Sequence, residues 1–397
     1  MHTRPFRRMR ILFVALLLAP ATALAAPLTI DRDFPGGSGE SQVDQETRTI
    51  RLNPTAHKDR GWVCWWYVRV RGITPGETIT LDVGEGVWAT PDRAAYSLDG
   101  RTWRQTPPGE RLGGRIVYSL PIEAEEAWFA WGPPFVPADA QQLVETAAER
   151  CSNAEHYVLA TSREERPVPA LRTAPEAENA PVVWFQARQH AWESGSSWVA
   201  KGLIDWVTSE DERAVALRRR AEIHIVPIMD VDNVHLGAGG KNGVPHDHNR
   251  DWGEEPHWPA VAAAMKALRG FEEAERLALF IDLHNPGANS KRPFFYIAPD
   301  EILRDTGRAN LARFLAQAKA EINGPLPFTG ETQASGPSYD PRWKFISKNW
   351  VTENARDGVV AVTLETAWNT PNSNTEGYQA VGRQLGLAVE AYLREER

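Results

Sequence analysis

Two histidines and two glutamates stand at positions where they could form one hydrolytic metal site. His190 and Glu193 are three residues apart, and side chains at i and i+3 share one face of a helical turn, so both could reach a single ion. His284 ends the apolar run 277–283, which predicts a buried parallel strand that delivers the imidazole at its C-terminal end. Two histidines and a carboxylate with an open fourth position are typical of catalytic zinc. These residues are therefore candidate ligands of one Zn²⁺ per chain.

Glu365 is the candidate residue for work on a water molecule. It ends a second apolar run, 359–364, and open α/β sheets bind their ligands at the C-terminal ends of parallel strands. A carboxylate there could accept a proton from an attacking water and later pass it to a leaving amine. The alternative is a glutamate in a surface salt bridge.

The first of two regions, residues 27–136, predicts an antiparallel β-sandwich domain. Short alternating segments are separated by Pro-Gly and Asp-Gly turns, and no long helical period is present. The predicted strands are 47–52, 63–70, 78–83, 95–98, 116–119 and 128–131. Seven of the sixteen tryptophans fall here. We expect them to pack the sandwich and a neighbouring domain; the alternative is a face that binds carbohydrate.

The second region, residues 137–397, predicts an α/β domain with a mixed, mainly parallel sheet flanked by helices. Strand and helix patterns alternate here after Pro133-Pro134. The predicted strands are 157–162, 182–187, 222–228, 277–283 and 358–364, and the predicted helices are 139–150, 196–208, 258–269, 300–321 and 375–394. Residues 168–172 are interpreted as an edge strand in a hairpin that leads into the metal loop, rather than as part of a linker.

Residues 1–26 are typical of a cleaved Sec signal peptide. Four arginines precede an apolar core, and Ala23-Leu24-Ala25 provides a cleavage site. The core is too short to span a membrane, and no cysteine lies near the cleavage site. We therefore expect a periplasmic or secreted protein without a membrane anchor.

Charge and cysteine content narrow the class of protein further. Without the four signal-peptide arginines, 40 basic residues face 52 acidic ones, a formal charge of −12 that argues against nucleic-acid binding. Cys64 and Cys151 are the only cysteines. Both a disulfide in an oxidising compartment and a buried core thiol at Cys64 remain open.

Several segments resemble zinc carboxypeptidases of the cytosolic carboxypeptidase-like branch, some of which are protein deglutamylases. The segment 186–198, with Ala-Arg-Gln-His-Ala-Trp-Glu-Ser, is similar to the family pattern A-R-x-H-P-G-E-[ST], and 247–252 is similar to D-L-N-R-x-W. Ile-Asp-Leu-His at 281–284 and Val-Thr-Leu-Glu at 362–365 follow in the family's order. Residues 96–103 and 129–135 resemble the β-sandwich that precedes the catalytic domain in this branch. The likeness spans most of the chain after residue 26.

The resemblance implies roles for individual residues. His190, Glu193 and His284 would bind zinc, and Glu365 would act as general base and then acid. Asn249 and Arg250 would hold the terminal carboxylate of the substrate, since a guanidinium suits a carboxylate; a structural Arg250 paired with Asp247 or Asp251 is the alternative. Two further positions are open: Asp247, and more weakly Asp282, could support a ligand histidine, and Tyr339 could be a mobile phenol over the substrate or a loop-packing residue.

The chain also departs from the family pattern. Where the family has an arginine in G-N-x-R for the developing oxyanion, residues 237–243 read Gly-Ala-Gly-Gly-Lys-Asn-Gly. Lys241 could supply that positive charge or could be a solvated loop lysine. Asp-Val-Asp-Asn at 230–233 replaces N-P-D-G and leaves that turn uncertain. Ala191-Trp192 replaces Pro-Gly between the first two ligands and predicts a bulkier rim around the metal site.

The leading hypothesis is a zinc metallocarboxypeptidase that hydrolyses the last peptide or isopeptide bond of a peptide or protein C terminus. Five cations favour a substrate with an acidic side chain, a C-terminal or branched glutamate, but solvated loop residues are the alternative; they are Lys291, Arg292, Arg342, Lys344 and Lys348. Export would make peptides, including cell-wall peptides, accessible as substrates. Two other functions remain open: a murein-peptide amidase or other zinc amidohydrolase, and an inactive peptide- or glycan-binding protein.

Overall fold

The computed structural model of the chain describes residue 1 and residues 26–84 and 90–395. Of the predicted signal peptide, residues 2–25 lie outside this described part. Within the described residues, no helix is both long enough and apolar enough to cross a membrane.

The N-terminal region forms two five-stranded sheets, in the orders β1-β4-β10-β6-β7 and β2-β3-β5-β9-β8. Their strands are β1 Thr29–Asp31, β2 Glu40–Asp44, β3 Thr49–Asn53, β4 Tyr67–Arg71, β5 Glu77–Gly84, β6 Ala95–Ser97, β7 Arg104–Gln105, β8 Glu110–Leu112, β9 Arg115–Ile122 and β10 Glu126–Ala130. Apolar side chains of both sheets share one core, so the predicted sandwich is confirmed. Pairing is antiparallel except between β3 and β5, which run parallel.

The sandwich core extends into the second region. The rings of Trp66 and Tyr118 pack at a tilt of 40° inside the sandwich, with 6.5 Å between ring centroids. Trp192 and Trp368, which come from the second region, belong to the same buried cluster. The two regions are therefore joined by a shared aromatic core, and packing on a neighbouring domain is confirmed for part of the tryptophan set.

The second region folds around one eight-stranded sheet in the order β11-β12-β14-β13-β15-β18-β16-β17. The strands are β11 Ala154–Thr161, β12 Pro167–Thr173, β13 Val182–Ala187, β14 Glu222–Val226, β15 Leu277–His284, β16 Phe294–Ile297, β17 Thr332–Ala334 and β18 Val360–Glu365. The helices are α1 Pro137–Arg150, α2 Ser194–Val207, α3 Glu212–Arg220, α4 Val231–Leu236, α5 Pro259–Glu273, α6 Asp305–Glu321, α7 Ser347–Asn354 and α8 Thr375–Arg394.

The central strands β14, β13, β15 and β18 run parallel, whereas β12 pairs antiparallel with β14 and β16 pairs antiparallel with β18. The mixed, mainly parallel sheet is thus confirmed. The hairpin that includes residues 168–172 is also confirmed, but the edge strand is β11 rather than this segment, because β12 bonds to β14 on its other side.

Helices α2 and α8 approach each other closely because two glycines face the contact. A Cβ at Gly382 would lie 1.9 Å from the carbonyl oxygen of Val199, and one at Gly202 would lie 2.1 Å from the carbonyl oxygen of Gln379. Neither position has room for a side chain. This contact fixes α2, the helix that begins directly after the metal loop.

The sequence patterns did not predict several short elements. The helices α3, α4 and α7 span nine, six and eight residues, which is too short for a clear helical period. The predicted strand at 63–70 begins only at Tyr67. Residues 62–66 are irregular, and Trp62 among them contacts Trp192 of the other region. The turn at Asp230 is a helix start, where the carboxylate caps α4 by accepting the Asn233 amide hydrogen at 3.2 Å.

Cys64 and Cys151 are both free and buried. The disulfide interpretation is therefore wrong, and the buried-thiol interpretation of Cys64 is confirmed: Cys64 lies in the sandwich core, whereas Cys151 follows α1.

Candidate active site

Three neighbouring parallel strands end at the same edge of the sheet and carry the candidate residues. β13 ends at Ala187 and leads into the loop with His190 and Glu193, β15 ends on His284, and β18 ends on Glu365. The strand register places His284 directly beside Glu365. The sheet thus brings together four residues that are up to 175 positions apart in the sequence.

The loop after β13 is held by a buried arginine. Arg188 has a left-handed φ of 64°, and its guanidinium donates to the carbonyl of Ala191 at 2.8 Å and to Phe135 O and Ser197 Oγ, both at 3.2 Å. Burial lowers the pKa of Arg188 to about 9, against the pull of Glu193 and other carboxylates. Arg188 lies within the motif at 186–198, where no local pattern indicates its role; the structure identifies it as the support of the metal loop.

The three candidate ligands converge. Nδ1 of His190 lies 2.7 Å from Oε1 of Glu193, and Nδ1 of His284 lies 2.7 Å from Oε2 of the same carboxylate. One ligand atom from each residue lies within 4.8 Å of the others, and all three side chains are buried. The helical-turn prediction for His190 and Glu193 is confirmed, since the Glu193 amide donates to the His190 carbonyl at 3.2 Å.

Carboxylates also lie behind both imidazoles. Oδ2 of Asp282 is 3.0 Å from Nε2 of His284, and Oδ1 of Asp247 is 3.5 Å from Nε2 of His190. Such partners fix the tautomer and the ring orientation of a ligand histidine. Both supporting aspartates are therefore placed as predicted. The backbone amide of Asn285, which sequence analysis missed, donates to Oε2 of Glu193 at 3.2 Å.

Charges within the cluster determine its protonation. Burial acts to raise the pKa of Glu193, but the charges of His190 and His284 outweigh burial and hold this pKa well below its usual range. Burial acts to lower the pKa of His284, but Asp282 and Glu193 raise it well above its usual range. The site therefore favours an ionised Glu193 carboxylate next to a strongly basic His284.

The residues fit a zinc ion. Two imidazole nitrogens and one carboxylate form the donor set that catalytic zinc uses, with one position open. In the described part of the chain, the buried atoms without a hydrogen-bond partner include Nε2 of His190, Oδ1 of Asp247 and Oε2 of Glu365. Native structures rarely leave such polar atoms unsatisfied except at functional sites.

Glu365 is buried at the floor of an open pocket of about 400 Å³, which is also lined by the three candidate ligands. Burial raises the pKa of its carboxyl to about 8, although the positive charge of His284 opposes this effect. The alternative of a surface salt bridge is wrong, because among the described residues Glu365 forms no ion pair.

Asn249, Arg250 and Tyr339 line the same pocket. Arg250 does not pair with Asp247 or Asp251; its Nε donates to Oδ2 of Asp340 at 3.0 Å. Its guanidinium lies 5.9 Å from the ring centroid of Tyr339, a residue that is 44% exposed.

Asn249 is oriented by the residues around it. Its Oδ1 accepts the amide hydrogen of Ser347 at 3.0 Å, and its Nδ2 lies 3.5 Å from Nε2 of His284. These contacts fix the side chain at the wall of the pocket, beside the candidate metal ligand.

Lys241 also lines the pocket, so it is not a distant loop residue. Its ammonium lies 5.3 Å from the ring centroid of Trp62. Burial acts to raise the pKa of Asp247 and of Glu365, and the charge of Lys241 acts to lower both. The Lys241 ammonium therefore interacts with two carboxyl groups of the site.

The five cations of the predicted acidic-substrate cluster do not come together. Lys348 lines the pocket, but Lys291 donates to the Asn369 carbonyl, and Lys344 pairs with Glu353. Arg292 is exposed, and Arg342 donates to the Arg250 carbonyl. The prediction of a cation cluster from proximity in the sequence is wrong, because these residues lie on separate loops and helices.

Two aromatic residues of the pocket wall were also missed. Tyr296, from β16, packs 5.2 Å from the ring of Tyr339, and Trp62 comes from the N-terminal domain. No local pattern marks either residue as part of a site.

Two histidines, two glutamates and an arginine line one open pocket at the ends of the parallel strands. This combination is typical of a metal-dependent hydrolase. Residues 140–367 match the family described as zinc carboxypeptidase, and residues 30–131 match the cytosolic carboxypeptidase N-terminal domain. The chain belongs to the zinc carboxypeptidase family and is a hydrolase of the zinc carboxypeptidase class that uses Zn²⁺ as its cofactor. The family acts on peptide C termini.

Relatives and solved structures agree with this family. An uncharacterized protein of Zymomonas mobilis is 26% identical over 290 residues, which cover 71% of this chain and 73% of that protein. Cytosolic carboxypeptidase 6 of Caenorhabditis elegans is 32% identical over 116 residues, but the match spans 28% of this chain and only 25% of that protein.

Two solved structures share the fold. A metallo-carboxypeptidase from Burkholderia cenocepacia has a TM-score of 0.80 at 20% identity, with 93% of this chain and 100% of that chain covered. A metallo-carboxypeptidase from Pseudomonas aeruginosa, solved in complex with (2-guanidinoethylmercapto)succinic acid, has a TM-score of 0.77 at 20% identity, with the same coverage of both chains.

Proposed function

We propose that this protein is a metallocarboxypeptidase that hydrolyses the last peptide or isopeptide bond of a chain with a free terminal carboxylate. One observation carries the proposal: the His-Glu-His donor set lies in strand register with the buried Glu365 at a pocket that also contains Arg250. In this proposal His190, Glu193 and His284 hold the zinc ion. Zinc, when bound, lowers the pKa of a water ligand toward ~7 and polarises a carbonyl oxygen.

Glu365 handles the protons of the reaction. It takes a proton from the attacking water and then donates it to the nitrogen of the leaving amino acid, as general base and general acid in turn. Without a cation beside it, burial raises the pKa of this carboxyl to about 8. This pKa must fall when a cation binds next to it, which favours the base form at the start of the cycle.

Asn249 and Arg250 hold the terminal carboxylate of the substrate. The Arg250 guanidinium lies at the pocket wall, where Asp340 and the Asn249 carbonyl fix its orientation. A fixed guanidinium presents paired N–H groups that match a carboxylate. Tyr339, exposed at the rim, covers the bound residue with its phenol.

Lys241 supplies positive charge to the oxyanion that forms at the scissile carbonyl. In the described part of the chain its ammonium forms no hydrogen bond or ion pair with a side chain, so its N–H groups are available to the substrate. A donor that is already in place when the charge develops is worth about 3 kcal/mol of transition-state stabilisation.

An acidic C-terminal residue is the side chain that the pocket favours. Lys348 is fully buried at the pocket wall, and its ammonium donates to the Ile297 carbonyl at 2.8 Å, to Ser335 Oγ at 2.7 Å and to Asn349 Oδ1 at 2.5 Å. Burial lowers the pKa of Lys348 well below its usual range. All three N–H groups of this ammonium already have acceptors, so an incoming carboxylate would interact with Lys348 through charge and not through a direct hydrogen bond. C-terminal glutamate in linear, branched and cell-wall peptides is therefore the first substrate class to compare.

The proposed place of action is outside the cytoplasm. The proposal rests on the signal-peptide pattern of residues 1–26. Fractionation of cells that produce the full chain, followed by N-terminal sequencing of the exported form, tests this point: an intact N terminus in the cytoplasm contradicts it.

The main test combines metal analysis with peptide hydrolysis by the wild type and Glu365→Gln. We expect about one zinc per chain in both proteins and a loss of turnover of about 10²–10⁴-fold in the variant. Glu301→Gln, at an exposed position, is the matched control and should keep full activity. Stoichiometric zinc without Glu365-dependent release of any C-terminal residue would refute the proposal. Turnover confined to cell-wall peptides with internal amide cleavage would indicate the amidase instead.

A further inference from the structure

Trp62 is the contribution of the N-terminal domain to the wall of the catalytic pocket. It lines the same pocket as His190, Glu193 and Glu365. On one side its ring faces Trp192, which stands between two candidate ligands, with 6.1 Å between centroids. The Lys241 ammonium is a second neighbour, 5.3 Å from the ring centroid.

The backbone around Trp62 is bonded to the loop that carries Lys241. The Trp62 amide donates to the Lys241 carbonyl at 2.9 Å, and the Gly240 amide donates to the Arg60 carbonyl at 2.8 Å. At Gly61, with a φ of 83°, a Cβ would lie 2.3 Å from the Lys241 carbonyl oxygen. Only glycine permits this approach. The segment 60–62 therefore fixes the main chain from which the Lys241 side chain extends.

The ring of Trp62 also lies beside the end of that side chain. Among the described residues, no carboxylate forms an ion pair with Lys241. A lysine has a flexible four-carbon stem, and without a partner its ammonium moves into solvent. The face of a tryptophan ring attracts a cation without neutralising it, so the charge stays available to a substrate oxygen.

We propose that Trp62 is a positioning residue that holds the Lys241 ammonium at the reaction centre, so that the N-terminal domain completes the catalytic site. This inference rests on the oxyanion role given to Lys241 under the proposed function. It predicts an effect on the chemical step rather than on substrate binding, because the positioned charge interacts with the oxyanion that develops during the reaction.

A double-mutant cycle on the zinc-loaded full chain tests the coupling. Trp62→Leu should lower kcat about 5- to 30-fold with little change in KM, the range that a cation–π contact supports. Trp62→Phe should restore most of the loss, and Trp62→Leu should cost nothing further when combined with Lys241→Met. Trp128→Leu is the control, since Trp128 lies in the same domain, contacts the Arg69 guanidinium at 4.7 Å and is not one of the residues that line the pocket. Equal losses from Trp62→Leu with and without Lys241 would overturn the inference.

A second measurement does not depend on turnover. Reductive ¹³C-methylation labels the solvent-accessible lysines, Lys241 among them, while keeping their charge, and a Lys241→Arg variant assigns the resonance. The Trp62 ring should displace the Lys241 signal, and Trp62→Leu should return it to the position of a solvated lysine. Lys344, 5.5 Å from the ring of Trp343, provides an internal reference that keeps its displacement. An undisplaced Lys241 signal in the wild type overturns the inference even if the enzyme is active, whereas a displaced signal in a protein without peptidase activity refutes only the proposed function.

Discussion

The ring of Trp131 stands edge-on against the ring of Trp192, with 5.2 Å between centroids and 88° between planes. Trp131 follows the last strand of the N-terminal sandwich, and Trp192 lies between His190 and Glu193. Trp131 also packs 4.4 Å from Trp368, three residues after Glu365. One side chain of the first domain thus supports both parts of the proposed catalytic centre.

This contact predicts that Trp131→Leu weakens folding and metal binding together. Loss of a buried aromatic ring should lower the free energy of unfolding by about 3 kcal/mol, and the released Trp192 loop should bind zinc less tightly. Urea denaturation and competition with a zinc chelator measure the two effects. A destabilised variant with unchanged zinc affinity would show that the domains only pack together.

Asp282→Asn should reduce zinc affinity about 10- to 100-fold, because His284 loses the carboxylate that orients its Nε2. Chelator competition on the purified protein measures the change. Ser347→Ala is the control: it removes the 2.6 Å bond from Ser347 Oγ to the same carboxylate but leaves the bond to His284. If both variants lose affinity equally, the effect comes from packing around Asp282 and not from the histidine.

Arg250→Lys should lower kcat/KM about 10- to 100-fold, mainly through KM, since an ammonium cannot form the paired bonds of a guanidinium with a carboxylate. Steady-state kinetics on a peptide with a free C terminus measure this loss. The same peptide with an amidated C terminus should be a poor substrate for both proteins. An equal loss on the two peptides would contradict carboxylate recognition by Arg250.

Glu222, which lies outside the candidate active site, predicts how the stability of the fold depends on pH. The bond from His224 lowers the pKa of Glu222 to about 2, and Arg276 adds to this effect against the opposing effect of burial. Because the folded pKa lies below the ordinary value of 4.5, the stabilisation is present above about pH 4.5 and is lost as the pH falls toward 2.

Glu222→Gln should therefore remove about 1 kcal/mol of stability at neutral pH, after allowance for solvent screening, and should flatten the acid limb of the stability curve. Denaturant titrations between pH 3 and pH 7 measure this. Glu254→Gln, at an exposed position, should leave the curve unchanged. A parallel downward shift at every pH would indicate a packing defect.

The sequence alone determined the parts of this protein that depend on local spacing. A His-x-x-Glu turn needs only three residues to bring two donors to one side, and the pattern of buried strands placed His284 and Glu365 at the correct edge of the sheet. The predicted strand 182–187 has the observed bounds of β13. The periodicity of apolar residues also predicted long amphipathic helices such as α8 and the sandwich of the first domain.

Only the tertiary structure decided which distant side chains meet. It placed Trp62 under Lys241, paired Arg250 with Asp340 and kept Lys348, of five cations, in the pocket. The Trp62–Lys241 and Arg250–Asp340 contacts join residues that are 179 and 90 positions apart, and no local period encodes them. The geometry of these contacts follows from how the two domains and the eight-stranded sheet pack. The metal-donor set could therefore be predicted from local spacing, whereas the side chains that surround and orient it could not.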